Sequence, residues 1–146
     1  MFGEFLKRLT QPDPVPLEKT DARLALTALL VRIAKSDGDY ASVEIALIDE
    51  LIAKRYGLSG DQIVTLRKDA ETLESEAPDT VRFTRAIKEA VPYVDRESVI
   101  ESLWEIVLVD GVRDQHENAL LRLVADLLGI NDRDSNLARQ RVSARQ

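Results

Sequence analysis

The sequence has no cysteine and only one histidine. Without cysteine there is no disulfide, no thiolate nucleophile and no Cys-based zinc or iron–sulfur centre. One histidine, His116, also leaves a zinc site poorly supplied with nitrogen ligands, and it reads as a surface residue of a first helical turn. Proline and glycine number only 5 and 6 in 146 residues, and aromatic residues make up 5%. Few segments are rich in the β-branched and aromatic residues that strands favour, while abundant Leu, Ala, Ile, Glu and Arg favour helix. There is no excess of positive charge: the formal net charge is −6. That sign is wrong for gripping phosphates, so nucleic acid is not an expected partner. Cations and basic protein surfaces suit it better.

A membrane-spanning run is lacking too. The most apolar stretch, "ARLALTALLVRIA" (Ala22 to Ala34), is interrupted by Arg23 and Arg32. It falls short of the roughly 20 apolar residues a span needs, and it reads as a buried central helix. The opening "MFGEFLKRL" is too short for a signal peptide and carries charges at Glu4, Lys7 and Arg8. Phe2, Phe5, Leu6 and Leu9 share one face of a short N-terminal helix. That face can pack on its own domain or make a weak contact with a membrane or partner.

What is present is 45% hydrophobic and 32% charged, a globular balance in a length that fits one domain. "QPDPVP" (Gln11 to Pro16) is a stiff linker. Thr20 or Asp21 can cap a helix that runs to about Ser36. A second helix from Ser42 to Tyr56 ends at Gly57. "SGDQ" (Ser59 to Gln62) is a capping box for a third, which runs to about Glu74. Pro78 suits the start of a fourth, which Pro92 stops. Asp95 is the expected cap of a fifth, running up to Gly111, with Trp104 in the core. "DQHE" (Asp114 to Glu117) is another capping box, for a helix that Gly129 ends. The remainder, Asn131 to Gln146, is polar, with few apolar anchors. It reads as a short helix that frays.

Shifting the chain by 73 residues lays Ile33 on Ile106, Asp37 on Asp110, Gly38 on Gly111 and Glu44 on Glu117. Each copy reads helix, Asp-Gly, five residues, Glu, helix, Gly and an apolar residue (Leu58 or Ile130). The reading is therefore all-α: a pseudo-two-fold bundle of about seven or eight helices. Its limits are 1–16 for the N-terminal helix and linker and 17–132 for the domain, with halves 17–75 and 78–132; 133–146 is a polar tail.

The chemistry concentrates in the two Asp-Gly turns. Asp37 and Asp110 fall at helix C-termini, where a carboxylate opposes the macrodipole by roughly 0.3–1 kcal/mol. A cation would offset that cost, and so would bonds from the loop or the next helix's free N–H groups. Glu44 and Glu117 sit at the third helical position, where a carboxylate reaches back to its own cap; they can also be ligands. Asp39 and Asp114 read as solvated loop or cap residues that join a site if symmetry brings the turns together. Shared carboxylates would then repel one another unless a cation intervened. An EF-hand does not fit, because Ile33 and Lys35, then Ile106 and Leu108, fall where its acids belong. An oxygen-only site suits Ca²⁺, Mg²⁺ or Mn²⁺. The second turn has Val112 where the first has Asp39, so it is poorer in acid. No Gly-rich phosphate loop, Ser–His–Asp set or paired catalytic acids are found, so the chain does not read as an enzyme. Metal-dependent hydrolysis is the one reaction to screen.

The segments "LLVRIAKSDGDYASVEIALIDELI" and "LWEIVLVDGVRDQHENALLRLVADLLGI" resemble the two signature segments of the TerB-like family, named for tellurite resistance. That resemblance implies an all-α pseudo-symmetric bundle and a divalent-metal patch, here Asp37, Asp39, Glu44, Asp110, Asp114 and Glu117. It also implies a bacterial, cytoplasmic setting in tellurite or other stress responses, with no catalytic activity. Membrane-associated or co-chaperone-like protein partners are part of the same implication. A metal-free protein-interaction scaffold is the alternative.

Overall fold

The run from Ala22 to Ala34 forms the heart of helix α1 (Lys19–Lys35), in which all residues except Arg23, Leu24 and Arg32 are buried over that stretch. A helix buried nearly all round has little amphipathic contrast, which suits a central position. The computed structural model describes residues 19–36, 38–76, 80–109 and 115–145, without the side chains of 19–21, 82 and 115–118. The other helices are α2 (Ser42–Tyr56), α3 (Asp61–Glu76), α4 (Thr80–Ala90), α5 (Tyr93–Leu108), α6 (Gln115–Leu127) and α7 (Asp132–Arg145). These seven are the elements among the described residues, and none of those residues forms a strand.

The two halves are related by more than their turns. Helix α1 packs against α3 as α5 packs against α7, and each half closes with its middle helix, α2 or α6, on both. The central helices α1 and α5 cross between the halves, and α4 bridges them by lying on α1 and α6. Buried positions superpose under the 73-residue shift: Leu26 and Val99, Leu30 and Leu103, Val31 and Trp104, Ile33 and Ile106, Ile48 and Leu121. Both middle helices also end alike. Gly57 and Gly129 take positive φ, 65° and 77°. Leu58 N–H then reaches back to the Ala53 carbonyl at 3.1 Å, and Ile130 N–H to that of Ala125 at 2.8 Å. This six-to-one bond with an apolar residue after the glycine is the Schellman stop, made twice.

Several sequence expectations need correction. Lys19 is already helical, so neither Thr20 nor Asp21 precedes α1 as its cap. Pro92 caps α5, and Asp95 lies in the first turn, where its charge suits the helix dipole. Proline offers no side-chain acceptor, and its carbonyl takes the N–H groups of Asp95 and Arg96, each at 3.0 Å. Helix α5 closes at Leu108, short of Gly111. Helix α3 begins at Asp61, with the Gln62 side chain still accepting from Ser59 N–H at 3.3 Å.

The largest difference is at the C-terminus. Residues expected to fray after a short helix form the 14-residue α7, which buries Ser135, Ala138 and Val142 against the core. It is the second copy of α3, so the repeat unit has three helices. The short N-terminal helix and linker, 1–16, lie outside the described residues. No helix among the described residues is long and apolar enough to cross a membrane.

Candidate functional site

The first Asp-Gly turn joins α1 to α2, and its backbone is closely specified. Ser36 Oγ donates to the Ile33 carbonyl at 2.7 Å, and Gly38 N–H donates to that of Lys35 at 3.0 Å. Gly38 has φ +85°, and a Cβ there would meet nothing within 4 Å. Its glycine therefore answers to backbone geometry rather than to crowding. Asp39 follows, exposed to solvent. Tyr40 then turns inward, and its hydroxyl donates to Glu71 Oε2 on α3 at 2.7 Å.

Glu44 closes the turn. Ala41 is the N-cap of α2 and has no side-chain acceptor, so only the carboxylate half of a capping box is made: Ala41 N–H donates to Glu44 Oε1 at 3.3 Å. Glu44 is nonetheless 2% exposed, and its second oxygen is also shut off from solvent. The helix N-terminus is one of the few places where a buried carboxylate is electrostatically favoured.

Of the other expected ligands, Asp37, Asp110 and Asp114 lie outside the described residues. So does the side chain of Glu117, whose backbone is in the first turn of α6; that of His116, its neighbour, is outside them as well. Among the described residues, no three acidic or histidine side chains gather as a metal cradle. Asp39 and Glu44 are the two described members of the expected set, at the two ends of one short turn. Their donors are all oxygen, which fits a hard divalent ion and not a thiophilic one.

Sequence reading missed the polar structure behind the turn. Arg67 on α3 donates through Nε to Asp49 Oδ1 on α2 at 2.6 Å, and its Nη1 lies 3.4 Å from Glu71. Tyr40, Glu71, Arg67 and Asp49 thus form one chain across the turn, α3 and α2. Burial, then the hydrogen bond and charge of Glu71, raise the Tyr40 hydroxyl well above the usual phenol range, so it stays a neutral donor. Burial works against the Arg67 cation, but the bond and charge of Asp49 and the charge of Glu71 outweigh it and raise its pKa. The i,i+4 spacing of Arg67 and Glu71 was the only local signal of this chain.

A second cluster sits one turn further along, at the C-terminal end of α3. Arg32 donates through Nε to Glu74 Oε2 at 3.1 Å and through Nη2 to the Glu74 carbonyl at 2.9 Å, while lying 4.8 Å over the Phe83 ring. Lys35 joins the same carboxylate at 2.8 Å. The interruption of the apolar run by Arg32 was its visible trace.

These features define the class first: an all-α, pseudo-two-fold helical module with an acid-bearing turn in its first half and the same sequence frame in its second. The chain belongs to the tellurite resistance protein TerB family, whose sequence model matches residues 23–140. The match reaches into α7, in keeping with a three-helix repeat. No curated relative and no solved structure matches the chain.

Proposed function

We propose that this protein is a non-enzymatic binding module that takes up a divalent cation, Ca²⁺, Mg²⁺ or Mn²⁺, at its Asp-Gly turns. The ligands are Asp37, Asp39, Glu44, Asp110, Asp114 and Glu117, and the setting is a cytoplasmic tellurite or stress response. The supporting observation is the burial of Glu44: a carboxylate 2% exposed closes a turn whose acidic frame the sequence uses twice. Buried negative charge at one end of a turn whose other end carries the exposed Asp39 suits a hard cation, and the net charge of −6 favours its approach.

Calorimetric titration of the chain with each ion tests this. Saturable heat is expected, with a stabilisation of roughly 3 kcal/mol at a hundredfold excess over the dissociation constant. Asp37→Asn together with Asp110→Asn is expected to abolish both. A flat titration and an unmoved melting temperature with all three ions would defeat the reading.

A second reading draws on the bond from Ala41 N–H to Glu44: the carboxylate already serves α2, which is all a metal-free scaffold needs. Under it, retention of a membrane-associated or co-chaperone-like protein partner is unchanged by chelator and by the same double substitution.

A further inference from the structure

The two Asp-Gly turns share a sequence frame, but the first has an anchor for which the second lacks the residues. Under the repeat shift, Tyr40 falls on Arg113 and Asp49 on Arg122. With the one-residue slip after the middle helix, Arg67 falls on Arg139 and Glu71 on Ser143. No carboxylate stands where Glu71 would be needed, and no phenol where Tyr40 would be. Arg122 is instead exposed and paired with Asp132, and the Arg139 guanidinium lies 6.0 Å over the Trp104 ring.

In the first half, three contacts fix the turn in succession. Gly38 N–H is held by α1, Tyr40 by α3 through Glu71, and Ala41 N–H by Glu44 of α2. Asp39 lies between the first two, so its backbone is held on both sides while its side chain faces solvent. Glu71 is itself tied through Arg67 to Asp49, so Tyr40 bonds to an acceptor fixed on two helices. A donor group presented in advance of binding avoids the ordering cost that a loose loop must meet.

We propose that Tyr40 is a positioning residue, whose hydroxyl bond to Glu71 sets the first Asp-Gly turn for cation uptake. This rests on the cation reading above. Tyr40 touches no ion; it acts through the backbone on either side of Asp39.

The test uses the full chain in wild-type form and as Tyr40→Phe, Glu71→Gln and Tyr93→Phe. Tyr93 is the matched control, because its hydroxyl also donates to a carboxylate, Asp134 at 2.9 Å, between α5 and α7. Two quantities are measured: amide hydrogen exchange at residues 38–41 without metal, and calorimetric affinity for Mn²⁺. Tyr40→Phe is expected to speed exchange and weaken affinity by about fivefold each, the loss of one hydrogen bond, with Tyr93→Phe changing neither. Glu71→Gln, which keeps an acceptor oxygen, is expected to protect the turn better than Tyr40→Phe does. Wild-type affinity in a Tyr40→Phe chain, or equal loss in Tyr93→Phe, overturns the proposal. If the wild-type chain takes up no Mn²⁺, the cation reading has failed, and the exchange measurement alone decides whether Tyr40 sets the turn.

Discussion

The seam between α1 and α3 and the seam between α5 and α7 occupy matching places in the two halves, yet their charges are reversed. In the first, the cations Arg32 and Lys35 stand on the central helix and the anion Glu74 on the outer one. In the second, the anions Glu101 and Glu105 stand on the central helix and the cations Arg141 and Arg145 on the outer one. Arg32 even falls on Glu105 under the repeat shift. What the two halves keep is complementarity across the seam, not the residue that supplies either sign. Burial differs as well. Arg32 and Glu74 side chains are 17% and 11% exposed, whereas Arg145 is 51% exposed. The second seam compensates with bulk: Trp104 replaces Val31 and donates from Nε1 to Ser135 on α7 at 3.2 Å.

If that contrast is right, the largest effect comes from the buried ion cluster. Glu74→Ala leaves the Arg32 guanidinium and the Lys35 ammonium without their shared carboxylate, Arg32 in a largely dry position. The expected loss is roughly 2 kcal/mol, because a charge deprived of its partner keeps its desolvation cost. For a chain of this size that is about 4–8 °C of melting temperature, read by thermal denaturation. A change under one degree would mean that the first seam is held by apolar packing alone.

The two halves were not equally legible in the sequence. Gly38, Glu44 and Gly57 punctuate helix α2 from Ser42 to Tyr56, and local signals of that kind act within one turn. In the sequence α7 reads as a short helix that frays, because its anchors, Ala138 and Val142, are small and a buried Ser135 reads as polar. Only tertiary packing shows that a thin stripe of small residues meets the Trp104 side of α5. The reach of Glu44 to its own cap was legible for the same local reason. The Tyr40–Glu71 bond was not, since 31 residues separate its ends and no periodicity joins them. Asp37, Asp110 and Asp114, and the side chain of Glu117, lie outside the described residues, so for them the sequence reading stands as proposed.

A smaller effect should appear at high pH, through Tyr40 in the first half. The folded state raises the Tyr40 pKa above its ordinary value, so it binds the phenolic proton more tightly than the unfolded chain does. Stability from this group is complete below about pH 10, where the unfolded phenol begins to ionise, and is lost as pH rises towards the folded value. Wild-type melting temperature is therefore expected to fall more steeply above pH 10 than that of Tyr40→Phe. Parallel curves would show that the Tyr40 proton is not held by the fold.

The smallest effect belongs to the second seam. Arg145 bridges Glu101 at 2.8 Å and Glu105 at 3.0 Å, which looks on paper like a stronger clamp than the Arg32 cluster. Its side chain is half exposed, however, and water screens both the attraction and its loss. Arg145→Ala should cost under about 1 kcal/mol, and that cost should shrink further as salt is raised from low to physiological ionic strength. A loss as large as that of Glu74→Ala, or one indifferent to salt, would make the two seams energetically alike. The asymmetry of burial would then carry no weight, and Trp104 would not be needed to explain how α7 stays on the bundle.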